Sequence, residues 1–187
     1  MKKTLLTLML VSVSSSTFAN GFYLGAAYSQ LGHGKVAYSE EVSSDDGFAV
    51  SAGYDFELGS VFTLAAEVEY KDLGGVVVRE YVGQGSYAQV DLSATSIGIN
   101  AIPKFYVSDN FYLLGKVGLH NVSYTAKITT NVTNQFNSTI EESVVELGYG
   151  GGLGYHFGPL TAQTTYEVVS VKNSDISSIN IGAKYNF

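Results

Sequence analysis

The sequence predicts an all-β protein, an eight-stranded antiparallel up-and-down β-barrel that crosses a membrane. Three observations predict it. Apolar and polar residues alternate at every second position in eight segments, as in strands with one apolar face. The connections between these segments are alternately short and long, and the last segment, 177–187, ends on an aromatic residue. No helical period competes with the alternation over any useful length.

The first 19 residues have the layout of a secretory signal peptide. Lys2 and Lys3 precede an apolar stretch that is too short to span a bilayer, and small residues lead to Ala19. We expect cleavage after Ala19, which leaves one exported domain over residues 20–187.

Composition limits the classes of partner and cofactor. Loss of Lys2 and Lys3 takes the formal net charge from −7 to −9, which argues against a nucleic-acid partner. The chain has no cysteine and only 3 histidines, in no convincing metal-ligand spacing. We therefore expect no disulfide, no metal and no cofactor.

The first four predicted strands show this alternation of apolar and polar residues. They cover 22–29, 47–57, 61–71 and about 88–106. In the first three, the apolar residues that share a face are Phe22, Leu24, Ala26 and Tyr28; Phe48, Val50, Ala52, Tyr54 and Phe56; Phe62, Leu64, Ala66, Val68 and Tyr70. The fourth is the least regular, because its alternation slips near Ala94–Ile97, and a β-bulge there is one explanation.

The other four predicted strands are more regular. They cover 111–120, 145–157, 160–168 and 177–187. The strand at 145–157 alternates large apolar residues with four glycines, which predicts a face with little space above it.

The connections have two lengths. Short turns at 58–60, 107–110 and 158–159 join strands into tight hairpins. Longer connections lie at about 30–46, 71–86 and 122–142, with a shorter one near 170–175. An even number of strands with short turns at one end and long loops at the other is typical of a transmembrane β-barrel. Both ends of the mature chain are then periplasmic.

The polar face is predicted to point into the barrel. A soluble eight-stranded barrel would share the alternation, but its outer surface should be dense in charged residues. Here the polar face is mostly small, and its few charges are mixed in sign. Buried charges of opposite sign must pair. The predicted lumen network consists of Glu67, Glu69, Lys104, Lys116, Glu146, Glu167 and Lys184.

Aromatic residues on the apolar face cluster beside the short turns. This set is Tyr54, Phe56, Phe62, Phe105, Phe111, Tyr155, Phe157, Tyr185 and Phe187. Candidates for a second girdle are Tyr28, Tyr70, Tyr149 and Tyr166. Aromatic girdles mark the two membrane interfaces of such barrels.

Together these features resemble the small outer-membrane β-barrel family of Gram-negative bacteria, which includes the OmpA barrel domain, OmpX and the opacity-type proteins. In that family the last strand ends on an aromatic residue with apolar residues alternating before it. The matching positions are Ile179, Ile181, Ala183, Tyr185 and Phe187. The resemblance implies that they form a signal read by the barrel-assembly machinery. It also implies a location in the outer membrane among its lipids and lipopolysaccharide. No OmpA-like periplasmic domain follows, so a peptidoglycan-anchoring role is not expected.

Three functions remain at this stage. The favoured one is a structural or surface-interaction role, in which extracellular loops contact a host surface, lipopolysaccharide or other proteins. A narrow low-conductance channel is disfavoured because eight strands leave a filled interior. A lipid-modifying enzyme is disfavoured because lipid A deacylases use Ser and His on one strand, whereas His120 and Ser123 face opposite sides. His33 and His156 have no better partner. We expect a monomer without enzymatic activity, and the sequence does not disclose the ligand.

Overall fold

The computed structural model describes residues 21–32, 41–44, 46–81, 87–130, 137–171 and 174–187. The predicted signal peptide and His33 lie outside these residues. The described strands are β1 (Phe22–Gly32), β2 (Glu41–Ser44), β3 (Gly47–Glu57), β4 (Phe62–Tyr81), β5 (Tyr87–Tyr106), β6 (Phe111–Thr130), β7 (Asn137–Phe157), β8 (Leu160–Val171) and β9 (Ser174–Asn186).

Eight of these strands form a closed antiparallel barrel, which confirms the predicted fold class. Each barrel strand pairs with its neighbours in the chain, and β1 pairs with β9 to complete the circle. β2 lies outside this circle and adds four residues to the edge of β4, opposite Val76–Arg79. Among the described residues, no helix has the length and apolar character needed to cross a membrane.

The connections predicted at 71–86 and 122–142 are mostly strand, which corrects the sequence interpretation. β4 and β5 remain paired up to Tyr81 and Tyr87, and β6 and β7 up to Thr129 and Asn137. The alternation pattern does not predict these parts of the strands, because strands that contact water on both faces need no apolar alternation. We call residues 75–93 the β4–β5 ribbon and residues 121–145 the β6–β7 ribbon.

The predicted irregularity lies in β4 and not in β5. The register shifts between Asp72 and Gly75, so that Leu73 and Gly74 together face a single β5 residue. Gly74 has a φ of 72°, a conformation that favours glycine, and its N–H donates to Asp72 Oδ1 at 2.9 Å. Leu73 lies two residues beyond the inward-facing Lys71 and is likewise buried in the lumen.

The outer wall is an apolar belt with aromatic residues at both ends. Tyr28, Tyr70, Tyr149 and Tyr166 are all exposed, as expected for one girdle. At the other end, the short-turn end, the Phe22 and Phe187 rings lie 5.5 Å apart. Because short turns are typical of the periplasmic side, we call this end periplasmic and the ribbon end extracellular.

Candidate functional site

The lumen is filled by three layers of side chains. The periplasmic layer is an apolar and aromatic cluster of Tyr23, Ala65, Ile102, Tyr112 and Leu114. The extracellular layer is a smaller cluster of Leu73, Val122 and Val169. Buried lysines and acids lie between the two. These layers leave an internal cavity of about 30 Å³ beside the charged groups, which has room for only about two water molecules.

Lys116 is the centre of the charged layer. Its Nζ donates to Glu69 Oε2 at 2.7 Å and to Glu167 Oε1 at 3.0 Å, and it lies 3.6 Å from Glu67 Oε1. Three strands on opposite sides of the barrel supply these groups: β4 carries two of the acids, β6 the lysine and β8 the third acid. The ammonium group therefore joins walls of the barrel that are not paired through the backbone.

Two further lysines complete the network around the same acids. Lys184 Nζ donates to Glu67 Oε2 at 2.7 Å. Lys71 Nζ donates to Glu167 Oε2 at 2.5 Å and lies 3.9 Å from Glu69 Oε1. With three lysines against three glutamates, this connected group is neutral, which is the condition for burying so many charges.

A separate ion pair lies nearer the periplasmic end. Lys104 Nζ donates to both oxygens of Asp55, at 2.7 and 2.8 Å. Lys104 also lies 5.1 Å from the centre of the Tyr23 ring, and Lys184 lies 4.3 Å from it. Tyr23 donates its hydroxyl to Glu67 Oε2 at 3.0 Å, so this one ring connects the pair to the central network.

The structure brings together five of the seven residues predicted for the lumen network. Lys104 is buried but pairs with an aspartate, and Glu146 is half-buried with its Oε1 unpaired among the described residues. Sequence reasoning omitted Asp55 and Lys71 from the network. The alternation of their strands does place both on the inward face, and that signal could have found them.

Glycines make room for large rings in the lumen. Tyr23 pairs with Gly53 across β1 and β3, and Tyr112 pairs with Gly154 across β6 and β7. A Cβ atom at Gly154 would lie 2.2 Å from Tyr112 Cζ, and one at Gly53 would lie 2.4 Å from Tyr23 Cζ. The small residues predicted on the inward face of the 145–157 strand thus leave room for an aromatic ring on a neighbouring strand.

A serine and a histidine lie in contact on two neighbouring strands. The residue pattern of a single strand does not predict such a contact. Ser96 Oγ on β5 lies 3.2 Å from His120 Nδ1 on β6. Ser96 is 2% and His120 4% exposed, and Val122 of the extracellular layer is fully buried beside them. Within the part of the chain that the structure describes, this pair is therefore shielded from the barrel surface.

His156 forms part of the periplasmic mouth. Its Nδ1 lies 2.7 Å from Thr161 Oγ1 and its Nε2 lies 3.2 Å from the Tyr106 hydroxyl. The Tyr106 and His156 rings are stacked, with 8° between their planes. Tyr106 and His156 line an open cavity of about 750 Å³ at the periplasmic end of the barrel. In the described part of the chain, no group of three His, Cys, Asp or Glu side chains is arranged to hold a metal ion.

The residues of the predicted assembly signal lie on the lipid-facing side of β9. Ile179, Ile181 and Tyr185 are about half exposed or more, and Ala183 lies between them on the same face. Phe187 follows the strand, and its N–H donates to the Phe22 carbonyl oxygen at 3.0 Å. The last residue is thus attached to the first barrel strand.

The extracellular end carries most of the remaining charge. Apart from the ion-paired groups of the lumen, the described segments beyond the outer tyrosines contain nine acids and two bases. The acids are Glu41, Asp46, Asp72, Glu80, Asp91, Glu141, Glu142, Glu146 and Asp175, and the bases are Arg79 and Lys127. All four lysines of the barrel lumen are engaged with acids there. The surface beyond the membrane is therefore acidic.

Comparison with known proteins places this architecture among outer-membrane barrels. A family model described as "Outer membrane protein beta-barrel domain" matches residues 4–187. No curated protein sequence matches the chain closely enough to indicate a relationship.

Solved structures of similar shape come from several bacteria, and at these identities the likeness concerns the fold. Ail, the attachment invasion locus protein of Yersinia pestis, in complex with the heparin analogue sucrose octasulfate, is 19% identical with a TM-score of 0.57. Neisserial surface protein A is 21% identical with a TM-score of 0.52. The N-terminal barrel of Pseudomonas aeruginosa OprF is 14% identical with a TM-score of 0.54. Each comparison covers 90% of this chain and 99% of the other.

Proposed function

Because the chain belongs to the outer membrane protein β-barrel domain family, we propose that it is a surface-interaction protein whose extracellular ribbons contact ligands outside the cell. The observation that carries this proposal is the length of the ribbons. β6 and β7 stay paired from Asn121 and Val145 to Thr129 and Asn137. At a rise of about 3.4 Å per residue, this ribbon extends roughly 30 Å beyond the apolar belt.

The filled lumen supports a role outside the membrane. Apolar layers lie on both sides of the charged layer, and each contains fully buried side chains such as Ile102 and Val122. An ion that entered would have to displace these side chains and break the ion pairs between them. The barrel is better suited to hold the ribbons than to conduct.

The acidic ribbons favour a basic ligand. Ail has been crystallised with a sulfated sugar, which is a polyanion. Nine acids against two bases in the described extracellular segments would repel a polyanion and attract a cationic ligand at low salt. A basic host protein therefore fits this surface better than heparin does. Lipopolysaccharide phosphates would need bridging divalent cations.

A ribbon-shortened variant tests the proposal. Residues 126–140 are replaced by Asn-Gly, which joins β6 to β7 just above the belt. Cells and nanodiscs that display the variant are compared with wild type for binding to immobilised host matrix proteins, heparin and lipopolysaccharide. We expect binding to basic matrix proteins to be lost, while the heat-modifiable gel shift of the folded barrel is kept. Unchanged binding by a folded variant, or no binding by wild type to any component, would refute the role of this ribbon.

We further propose that β9 contains the signal for assembly into the outer membrane. Its alternating apolar residues face lipid, and Phe187 lies at the periplasmic interface beside Phe22, where an assembly factor in the periplasm would reach it first. Removal of residues 1–19 as a signal peptide also stays a prediction, and N-terminal sequencing of protein purified from membranes would test it.

A further inference from the structure

Pro103 lies inside a transmembrane strand that is paired on both sides. The chain has only two prolines, and the other, Pro159, is exposed in the turn between β7 and β8. Pro103 is opposite Leu64 in a pairing of β5 with β4 that runs without interruption from Phe62 to Asp72. Proline has no N–H group to donate and is normally confined to edge strands or bulges. A proline at this position therefore leaves a backbone bond of the barrel wall unformed.

The pairing of β5 with β6 shows which bond is lost. The pairs run without interruption up to Ala101 and resume at Lys104 in the same register. The two intervening pairs are those that require an N–H at position 103, because opposite residues of antiparallel strands exchange their bonds in pairs. The lost bond is the one from this N–H to the Gly115 carbonyl oxygen. The ladder thus has a gap of one bond and no bulge.

The barrel wall fits the trans form of the Ile102–Pro103 bond. No cis peptide bond occurs among the described residues. Ile102 is fully buried in the periplasmic layer of the lumen, and the alternation of β5 places Pro103 on the outer face. On β6, a Cβ atom at Gly115 would lie 3.4 Å from Pro103 Cγ. The proline ring therefore packs where the neighbouring strand has no side chain.

A cis bond before Pro103 is incompatible with this wall. It would shorten the distance between the two Cα atoms from about 3.8 Å to about 2.9 Å and turn the chain out of the strand direction. Lys104, whose Nζ donates to Asp55 at 2.7 Å, and the outward ring of Phe105 would both leave their places. The end of β5 could then pair with neither neighbour. The barrel therefore closes only around the trans form.

The unfolded chain does not hold this bond in one form. An X–Pro bond is about 10–30% cis in unfolded peptides, and without a catalyst the two forms exchange in about 10–100 s at 25 °C. A chain that starts to fold with a cis bond before Pro103 must wait for this exchange. Its apolar strands remain exposed to water during that time, which favours aggregation.

We propose that cis–trans isomerisation of the Ile102–Pro103 bond limits closure of the barrel, and that this bond is the substrate of a peptidyl-prolyl isomerase before insertion. The reaction is a rotation about the peptide bond, so no covalent bond forms or breaks and no co-reactant is needed. The enzyme that fits accepts a branched apolar residue before proline in an unfolded chain. This step concerns the assembly of the barrel and is independent of what the ribbons bind.

Refolding of the mature chain, residues 20–187, tests the step. The chain is unfolded in urea and diluted into detergent micelles, and the heat-modifiable gel shift is followed over time with and without a catalytic amount of a peptidyl-prolyl isomerase. A proline-containing model peptide confirms that the enzyme is active in the same micelles. We expect about 10–30% of the chains to fold in a slow phase of about 10–100 s. Active enzyme should accelerate this phase at least about threefold, and heat-inactivated enzyme should not.

Two proline variants assign the slow phase to one bond. Pro159→Ala leaves Pro103 as the only proline, so its slow phase and the acceleration by the isomerase should both persist. Pro103→Ala supplies an N–H opposite Gly115 and removes the isomerisation, so its slow phase should be at least about threefold smaller. If Pro103→Ala does not give the folded gel shift, the Pro159→Ala protein alone decides, because the isomerase can act there on no other X–Pro bond.

Three outcomes would overturn the proposal. A refolding curve without a slow phase would mean that no isomerisation limits closure. A slow phase that active isomerase does not accelerate would have another origin, such as insertion into the micelle. A slow phase that disappears in Pro159→Ala, or that persists unchanged in folded Pro103→Ala, would not belong to the Ile102–Pro103 bond.

Discussion

Lys116 contacts three carboxylates from two strands that do not neighbour its own, so it contributes more to the barrel than an ordinary ion pair. Replacement of Lys116 by an uncharged residue leaves Glu69 and Glu167 buried with only Lys71 between them. The cost of a buried unpaired charge exceeds that of the lost attraction, because water no longer solvates it.

Lys116→Met is therefore expected to lower the free energy of unfolding by roughly 3–5 kcal/mol. Urea unfolding in lipid vesicles measures it. The matched control is Lys127→Met on the exposed part of β6, for which a change within about 0.5 kcal/mol is expected. Similar effects for the two lysines would mean that the lumen groups are solvated.

Gly154 is a second residue whose role follows from its neighbour. Its α-hydrogen faces the fully buried Tyr112 ring, so Gly154→Ala forces that ring to move and should destabilise the barrel by about 1–3 kcal/mol. Gly151→Ala on the same strand is the control, because its Cβ would lie 3.5 Å from the nearest atom, the Leu114 carbonyl oxygen. Equal stability of the two variants would contradict the ring-over-glycine packing.

At the scale of elements, sequence patterns predicted the strands inside the membrane and missed those outside it. All eight barrel strands were predictable because lipid on one side and a crowded lumen on the other impose strict alternation. The ribbons lack this constraint, so the sequence pattern of residues 71–81 and 122–130 predicted loops. The Ser96–His120 pair and the Lys71 contacts depend on register between strands, which a single strand's pattern does not contain.

β9 carries the prediction that separates packing from assembly. Deletion of Phe187 removes one interfacial ring, a loss of at most about 1.5–3 kcal/mol for folding of the purified chain in detergent. We expect a much larger loss of insertion in cells, measured as the heat-modifiable fraction in outer membranes. Phe157→Ala is the control, since it removes a girdle ring at the same end outside the last strand. If both variants insert equally well in cells, Phe187 is a packing residue only.

On the scale of the whole molecule, the chain separates its charges by compartment. Lysines and acids balance in the lumen, the outer wall is apolar, and the acidic excess lies on the extracellular side. A substitution at Ala66 tests whether the outer wall faces lipid, because Ala66 lies on the outward face midway between Phe62 and Tyr70.

Ala66→Arg should destabilise the barrel by about 2–4 kcal/mol in vesicles, the cost of a cation near the bilayer midplane. Thr129→Arg, exposed near the tip of the β6–β7 ribbon, should change the stability by less than about 0.5 kcal/mol. An arginine tolerated equally well at both positions would place the membrane boundary elsewhere.

The central claim is that this barrel is closed and holds a working surface outside the membrane. Its most direct test is ion conductance of the wild-type protein in planar bilayers, with a porin as the positive control and the folded fraction checked by gel shift. Closed layers at Ile102 and Val122 predict a current no different from that of the protein-free bilayer. Stable single-channel steps that increase with salt concentration would contradict the closed lumen and favour the channel function instead.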